Sequence, residues 1–165
     1  MAIASFEGLC AGLCDLVGVP APSLKEDAVG RVGFHVLLRG TTVNLVHCPH
    51  ACPDHVFVLF EFGCLAQGGS EAAADLQALM DANFMLLQVN PPVFSRNPDT
   101  GDVLLQCVVK LFDSTPHDVH ALIERGVQMV EHWRSAIADD DLDAAADRAA
   151  FAVPETVAHD ISRFA

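Results

Sequence analysis

Two thiols and three imidazoles crowd into nine residues, His47-Cys48-Pro49-His50-Ala51-Cys52-Pro53-Asp54-His55, between two segments that alternate like strands. Cys48 and Cys52 stand at a spacing that zinc ligands use, and His47, His50 or His55 offers the nitrogen donors that complete a tetrahedron. Paired thiols of this kind also suit a redox response. Against a structural zinc site stands the single loop. Such sites ordinarily join two knuckles, and no second cysteine pair lies nearby in the sequence. The reading adopted is no metal and no cofactor, with a zinc- or redox-responsive binding module as the alternative use of residues 47–55.

The remaining candidates are weaker. Cys10 and Cys14 are four apart and share a helical face, but Cys10 sits in an apolar stripe where a thiol behaves as a small hydrophobe. His117 and His120 flank Asp118, at a separation that permits chelation, yet helix-start chemistry already accounts for Thr115 and Asp118, which makes these histidines surface residues. No Gly-x-Ser-x-Gly elbow, phosphate loop, His-Glu-x-x-His or dinucleotide fingerprint occurs. A cysteine nucleophile with a distant histidine is the one catalytic arrangement that spacing leaves open. The chain reads as a protein that is not an enzyme.

The elements that carry these residues are well marked. Phe6, Leu9, Cys10, Leu13, Leu16 and Val17 recur at helical spacing up to Gly18, and Pro20 and Pro22 prevent continuation. Phe34, Val36 and Leu38 alternate into a turn at Arg39-Gly40-Thr41, Val43 and Leu45 alternate out of it, and Val56 to Phe62 is an almost unbroken apolar run. Three sequential antiparallel strands result, the last one central. Gly68-Gly69 then break the chain, Ser70 is a cap, and Ala72, Leu76, Leu79, Met80 and Asn83 trace a second helix rich in small residues.

From Asn90 the pattern specifies a hairpin. Pro98 fixes φ in the turn Asn97-Pro98-Asp99-Thr100-Gly101, and Gly101 accepts the positive φ needed to enter the next strand. That strand has a wholly apolar face, Val103, Leu105, Cys107, Val109 and Leu111, and a mixed one, Leu104, Gln106, Val108 and Lys110. Thr115, Pro116 and Asp118 open a third helix, whose stripe is Val119, Leu122, Ile123, Val130, Trp133 and Ile137. The order α-β-β-β-α-β-β-α gives an α+β class with a twisted antiparallel sheet of about five strands. Residues 1–137 form this domain. Residues 138–165, acidic and alanine-rich with Pro154 dividing two short helical pieces, read as a helical appendage.

Composition narrows the partners. Nine basic residues against 22 acidic ones leave a net charge of −13, which disfavours nucleic acid and anionic membranes because both reward clustered Lys and Arg. No apolar run reaches spanning length, so membrane insertion is not expected. The first helix lacks a basic leader and carries Glu7 and Asp15, so it reads as part of the mature protein. Six cysteines without export signals then point to reduced thiols and a cytoplasmic setting. A hydrophobic fraction of 52% hints at apolar surface kept available to a partner.

The element order, the turn Asn97-Pro98-Asp99-Thr100-Gly101, the strand Val103 to Leu111 and the closing Glu131-His132-Trp133-Arg134 resemble the Tir chaperone (CesT) family of class I type III secretion chaperones. The resemblance covers about Phe6 to Arg134. It implies a cytoplasmic bacterial homodimer that binds the N-terminal region of a secreted effector and keeps it soluble and secretion-competent, without nucleotide. Carried onto this chain, it implies a dimer interface at Leu76, Leu79, Met80 and Phe84, and effector contact at Leu9, Leu13, Phe34, Val36, Leu104 and Val108. Simple core burial is the competing role for each of these. A chaperone-like regulator of another protein is the other alternative. A segment held unfolded by a partner needs apolar grooves and a free strand edge, since its side chains and its backbone must both be satisfied.

Overall fold

The computed structural model describes residues 5–64, 69–86 and 90–138. Helix α1 (Phe6–Val17) leads into the strands β1 (Val32–Leu38), β2 (Thr41–Cys48) and β3 (Cys52–Cys64). Helix α2 (Gly69–Met85), strands β4 (Val93–Arg96) and β5 (Asp102–Lys110) and helix α3 (Pro116–Ala138) follow. The five strands form one antiparallel sheet in the order β1-β2-β3-β5-β4. The expected α+β architecture and the central place of the third strand both hold. The expected appendage, from residue 139 onward, lies outside the described residues.

Local chemistry explains the element boundaries. Ser5 caps α1 by accepting from the Gly8 N–H at 3.1 Å, and Gly18 closes the helix at φ 71°. Leu38 already pairs with Thr41, so the β1–β2 connection is only Arg39 and Gly40, both at positive φ, as a two-residue hairpin of the type I′ class demands. The Asn97–Gly101 turn is built by side chain and backbone together. Asn97 Oδ1 accepts from the Asp99 N–H at 2.9 Å, and the Gly101 N–H donates to Asn97 O at 2.8 Å with Gly101 at φ 84°. Before α3, Thr115 Oγ1 accepts from the Asp118 N–H at 3.2 Å while Asp118 Oδ2 accepts from the Thr115 N–H at 2.9 Å, a reciprocal cap.

Two boundaries differ from the sequence reading. Helix α2 begins at Gly69, so Ser70 lies inside the helix instead of capping it. Strand β4 spans only Val93–Arg96, less than half of β5. Pro91 and Pro92, which have no N–H to donate, precede it and the Asn97 turn follows it. At its outer side the amide of Asn83 grips one residue from both directions: Nδ2 donates to Phe94 O at 3.1 Å and Oδ1 accepts from the Phe94 N–H at 2.7 Å. Replacing Asn83 with Leu should cost roughly 1–3 kcal/mol, the penalty for leaving paired backbone groups without partners. It should also speed amide exchange at Phe94 while β2 and β3 stay protected. Unchanged exchange at Phe94 would show that the clamp contributes nothing.

The core lies between the sheet and the helices α1 and α3. It gathers Val43 and Leu45 of β2, Val56, Val58, Phe60 and Phe62 of β3, and Val103, Leu105, Cys107 and Val109 of β5. Leu9 and Leu13 of α1 and Val119, Leu122, Ile123, Val127 and Val130 of α3 complete it. Each large side chain so buried contributes on the order of 1.5–3 kcal/mol. Helix α3 approaches closely at Gly126, where a Cβ would fall 2.2 Å from the ring of Phe60. Arg134 then ties the far end of α3 to the sheet, donating from Nη2 to Glu61 O at 3.0 Å and from Nη1 to Thr41 Oγ1 at 3.2 Å. Trp133 meets Phe62 edge to face at 6.1 Å. The closing Glu131-His132-Trp133-Arg134 segment is therefore a structural latch.

Candidate protein-binding surface

The Cys and His turn does not gather its ligands. His47 stacks on Phe6 with ring centroids 5.2 Å apart, and its Nε2 lies 3.0 Å from Pro53 O. His50 leans toward Glu26, Nε2 to Oε2 3.8 Å, while His55 pairs in register with Lys110. The imidazoles of His47 and His50 go to different neighbours, His50 lying in the turn beyond the register shift between His47 and Cys48, and His55 sits farther along β3. Among the described residues no three His, Cys, Asp or Glu side chains converge on a point that could hold a metal ion. Elsewhere, His117 is exposed and His120 Nδ1 lies 3.9 Å from Glu124 Oε2, one helical turn on.

Acid–base chemistry is equally local. Burial pushes the thiols of Cys10 and Cys107 up to about 12. Backbone N–H donation from Arg31 holds the Asp27 carboxyl below its usual value, with the Arg31 guanidinium adding an ion pair at 2.9 Å. Asp102 is likewise lowered, first by its hydrogen bond with Cys64 and then by that with Thr100.

The residues expected to touch a partner fall into three environments. Leu9 and Leu13 are buried, at 0% and 4% exposure, on the side of α1 that meets the sheet and α3. They are core residues, a correction that follows from the helical stripe being used entirely inside the protomer. Phe34 and Val36 face the same side of the sheet as Leu45 and Val43, their register partners, but β1 lies at the margin of the helices and leaves them half-buried. Leu104 and Val108 lie on the opposite face, where none of the strongly buried residues of β5 points.

That opposite face is wider than β5 alone indicated. Val108 pairs with Phe57 and Phe57 with Val46, while Leu59 lies between Asn44 and Gln106. All are only partly covered. Leu37 and Val93 add exposed apolar area at its two ends. Polar groups are interleaved and largely satisfied, as in the 2.8 Å bond from Asn44 Nδ2 to Glu61 Oε1. The signal for Phe57 and Leu59 was present in the apolar run from Val56 to Phe62, because a strand apolar at every position has two faces to cover.

The two edges of the sheet are unlike. At β4 the outward backbone groups of Phe94 are occupied by Asn83. At β1 the outer side is bridged only between Glu26 and Val32, and no other described segment pairs with it. Gly33, His35 and Leu37 alternate along it, all exposed.

Helix α2 divides its apolar residues. Leu79, Ala82 and Leu86, which follows its last turn, are buried against the core, so Leu79 is not surface as the interface expectation required. Its neighbours point outward: Leu76, Met80 and Phe84 are 41%, 69% and 71% exposed and stand in one line along the helix at intervals of four. Contiguous exposed apolar area of this kind is what partner contacts ordinarily cover.

Solved structures share the architecture. A chain of the ExsC–ExsE complex superposes with a TM-score of 0.59 at 15% identity, covering 79% of this chain and 95% of that one. A chain of the HopA1–SchA chaperone–effector complex superposes at 0.54 and 8% identity, covering 79% and 93%. A chain of the ExoT–SpcS complex from Pseudomonas aeruginosa covers 75% and 92% at 19% identity with a TM-score of 0.49, too loose to carry an argument. At such identities the likeness is one of fold. No curated protein matches the sequence. The Tir chaperone protein (CesT) family model does match, over residues 12–134. That span runs from α1 to the Arg134 latch and takes in every described strand, so the chain belongs to the Tir chaperone protein (CesT) family.

Proposed function

We propose that this protein is a type III secretion chaperone that acts in the bacterial cytoplasm as a homodimer, binding the N-terminal region of an effector and keeping it soluble and secretion-competent. The observation that carries the reading is the coexistence of a β1 edge that, among the described residues, is paired only at the Glu26–Val32 bridge with half-exposed apolar residues on both sides of the sheet. Phe34 and Val36 lie on one side of β1's neighbourhood and Val46, Phe57, Leu59, Leu104 and Val108 on the other. An extended client can add to the β1 edge through its backbone and place alternate side chains on apolar ground. The net charge of −13 keeps such a surface dispersed and favours a basic client segment at long range. The chemistry needed is that of a surface, and no catalytic step is part of the proposal.

The dimer is formed through the Leu76, Met80 and Phe84 line of α2, each protomer covering the other's exposed apolar residues. Residues 1–137 make up the chaperone domain and residues 138–165 an acidic appendage to it. The primary test is purification from the native host followed by mass spectrometry of what accompanies the chain. A stoichiometric secreted protein is expected, and its absence under secretion-inducing conditions would remove the reading.

The surface itself is tested by Leu104→Ser combined with Val108→Ser. Both residues are half-exposed, so the variant should keep its far-ultraviolet dichroism and its denaturant midpoint nearly unchanged. Capture of the client should weaken about tenfold or more, since covering an apolar side chain of this size contributes roughly 1.5–3 kcal/mol and the variant removes two. Unfolding of this variant would instead mark the two positions as core.

A further inference from the structure

The six cysteines differ in what surrounds them. Cys10, Cys14 and Cys107 are buried, and thiols buried in apolar surroundings are inert. Cys64 is exposed, but its Sγ is held 2.8 Å from Asp102 Oδ1, an acceptor that favours the protonated thiol. Cys48 and Cys52 are both half-exposed and stand opposite each other. They are Cα partners in the β2–β3 pairing, joined by a turn in which the Ala51 N–H donates to Cys48 O at 3.1 Å.

Geometry separates this pair from the one on α1. Directly opposed residues of an antiparallel ladder hold their Cα atoms roughly 4.5–5.5 Å apart, inside the span of roughly 4.4–6.8 Å that a disulfide bridges. Cys10 and Cys14 lie four apart on a helix, where Cβ atoms are roughly 5–6 Å apart, beyond the roughly 3.5–4.5 Å a disulfide takes. Pro49 within the turn and Pro53 just after Cys52 restrict the backbone, which limits how far the two thiols can drift apart.

We propose that Cys48 and Cys52 form a reversible dithiol–disulfide site at the tip of the β2–β3 hairpin, oxidised by low-molecular-weight disulfides. One cysteine, as its thiolate, attacks a sulfur of the small disulfide and expels one small thiolate, leaving a mixed disulfide. The second cysteine loses its proton to solvent and attacks the protein sulfur of that bond, expelling the second small thiolate. Two protein thiols become one disulfide, one small disulfide becomes two thiols, and the two protons pass from the protein to the released thiolates. Closure braces the sheet where its register shifts between His47 and Cys48. The braced tip is also where His47 stacks on Phe6 of α1 and where His50 approaches Glu26 ahead of β1.

The site does not depend on the chaperone reading, and its test needs no client. The full chain, reduced and then desalted, is incubated at neutral pH with excess oxidised glutathione, blocked with an alkylating reagent and measured by intact and fragment mass spectrometry. The expected product has lost two hydrogen atoms, with the loss located in the segment from Cys48 to Cys52, and dithiothreitol reverses it. Its far-ultraviolet dichroism matches that of the reduced protein. Cys48→Ser and Cys52→Ser each retain a glutathione adduct on the remaining cysteine, because no partner resolves it. Separate adducts on Cys48 and Cys52 in the unsubstituted chain, a disulfide located elsewhere, or cross-linking that occurs only on unfolding would each overturn the proposal.

Discussion

Gly126→Ala should destabilise the protein by about 2–3 kcal/mol, the upper part of the range for overpacking a filled core. The sign is the informative part. In an exposed helix the same change adds roughly 1 kcal/mol of stability, so helix propensity alone predicts the opposite outcome. What decides is contact: a Cβ at Gly126 would stand 2.2 Å from Cε1, 2.3 Å from Cζ and 2.7 Å from Cδ1 of Phe60. The ring cannot swing aside, since Phe60 is fully buried in the middle of β3 among Val58, Phe62 and Leu105. Relief must come from lifting α3 off the sheet, which also loosens Val127 and Val130.

A double-mutant cycle makes this specific. Phe60→Leu removes ring atoms and opens space, so it should destabilise by itself, yet the pair Phe60→Leu with Gly126→Ala should be less destabilised than the two single effects added. Neighbours in contact show coupling of about 0.5–3 kcal/mol. Denaturant midpoints of the four proteins measure it. Strict additivity, or a Gly126→Ala protein more stable than the parent, would show that α3 sits farther from β3 than the structure places it.

The second large effect concerns assembly. Met80→Asp combined with Phe84→Asp should convert a species of twice 17.6 kDa into one of 17.6 kDa by light scattering, with the protomer still folded. Both side chains are about 70% exposed in the single chain, so a carboxylate there meets water in the monomer and faces apolar surface or a second carboxylate in the dimer. Leu79 is the internal control. At 6% exposure it faces the core, so Leu79→Asp should unfold the protomer instead of dissociating an intact one. A folded monomer in the parent protein would remove the proposed interface, and a double variant that remains dimeric would move it elsewhere.

The three hairpins, the Thr115–Asp118 cap and the three helices were legible because each rests on short-range chemistry. The Thr115–Asp118 cap, the Asn97 turn and the Gly18 stop involve residues no more than five apart, and their residue types state their geometry. The face assignment within β5 was legible for the same reason, since alternation needs only neighbours in sequence. Harder to read was which side of an apolar helix stripe is spent inside the protomer. The stripe of α1 carrying Leu9 and Leu13 and the residue Leu79 of α2 have the same composition as surface anchors, and only the packing of α1 on α3 and of α2 beside β4 makes them core.

The contacts that shape the candidate surface are the long-range ones. Asn83 closing the β4 edge through Phe94, Arg134 latching α3 to Thr41 and Glu61, and Gly126 admitting Phe60 each join residues far apart in sequence. No local pattern pairs them. The sequence by itself determined the class of fold, the element order, the turn types and an acidic, apolar-rich surface, because periodicity and capping act within one or two turns of chain. Tertiary structure alone decided which sheet edge has no neighbouring strand among the described residues, which apolar residues stay exposed on the protomer and that Cys48 and Cys52 stand opposite each other while the histidines of residues 47–55 do not converge. Those outcomes depend on strand order and register, which set distances between residues that the chain itself keeps apart.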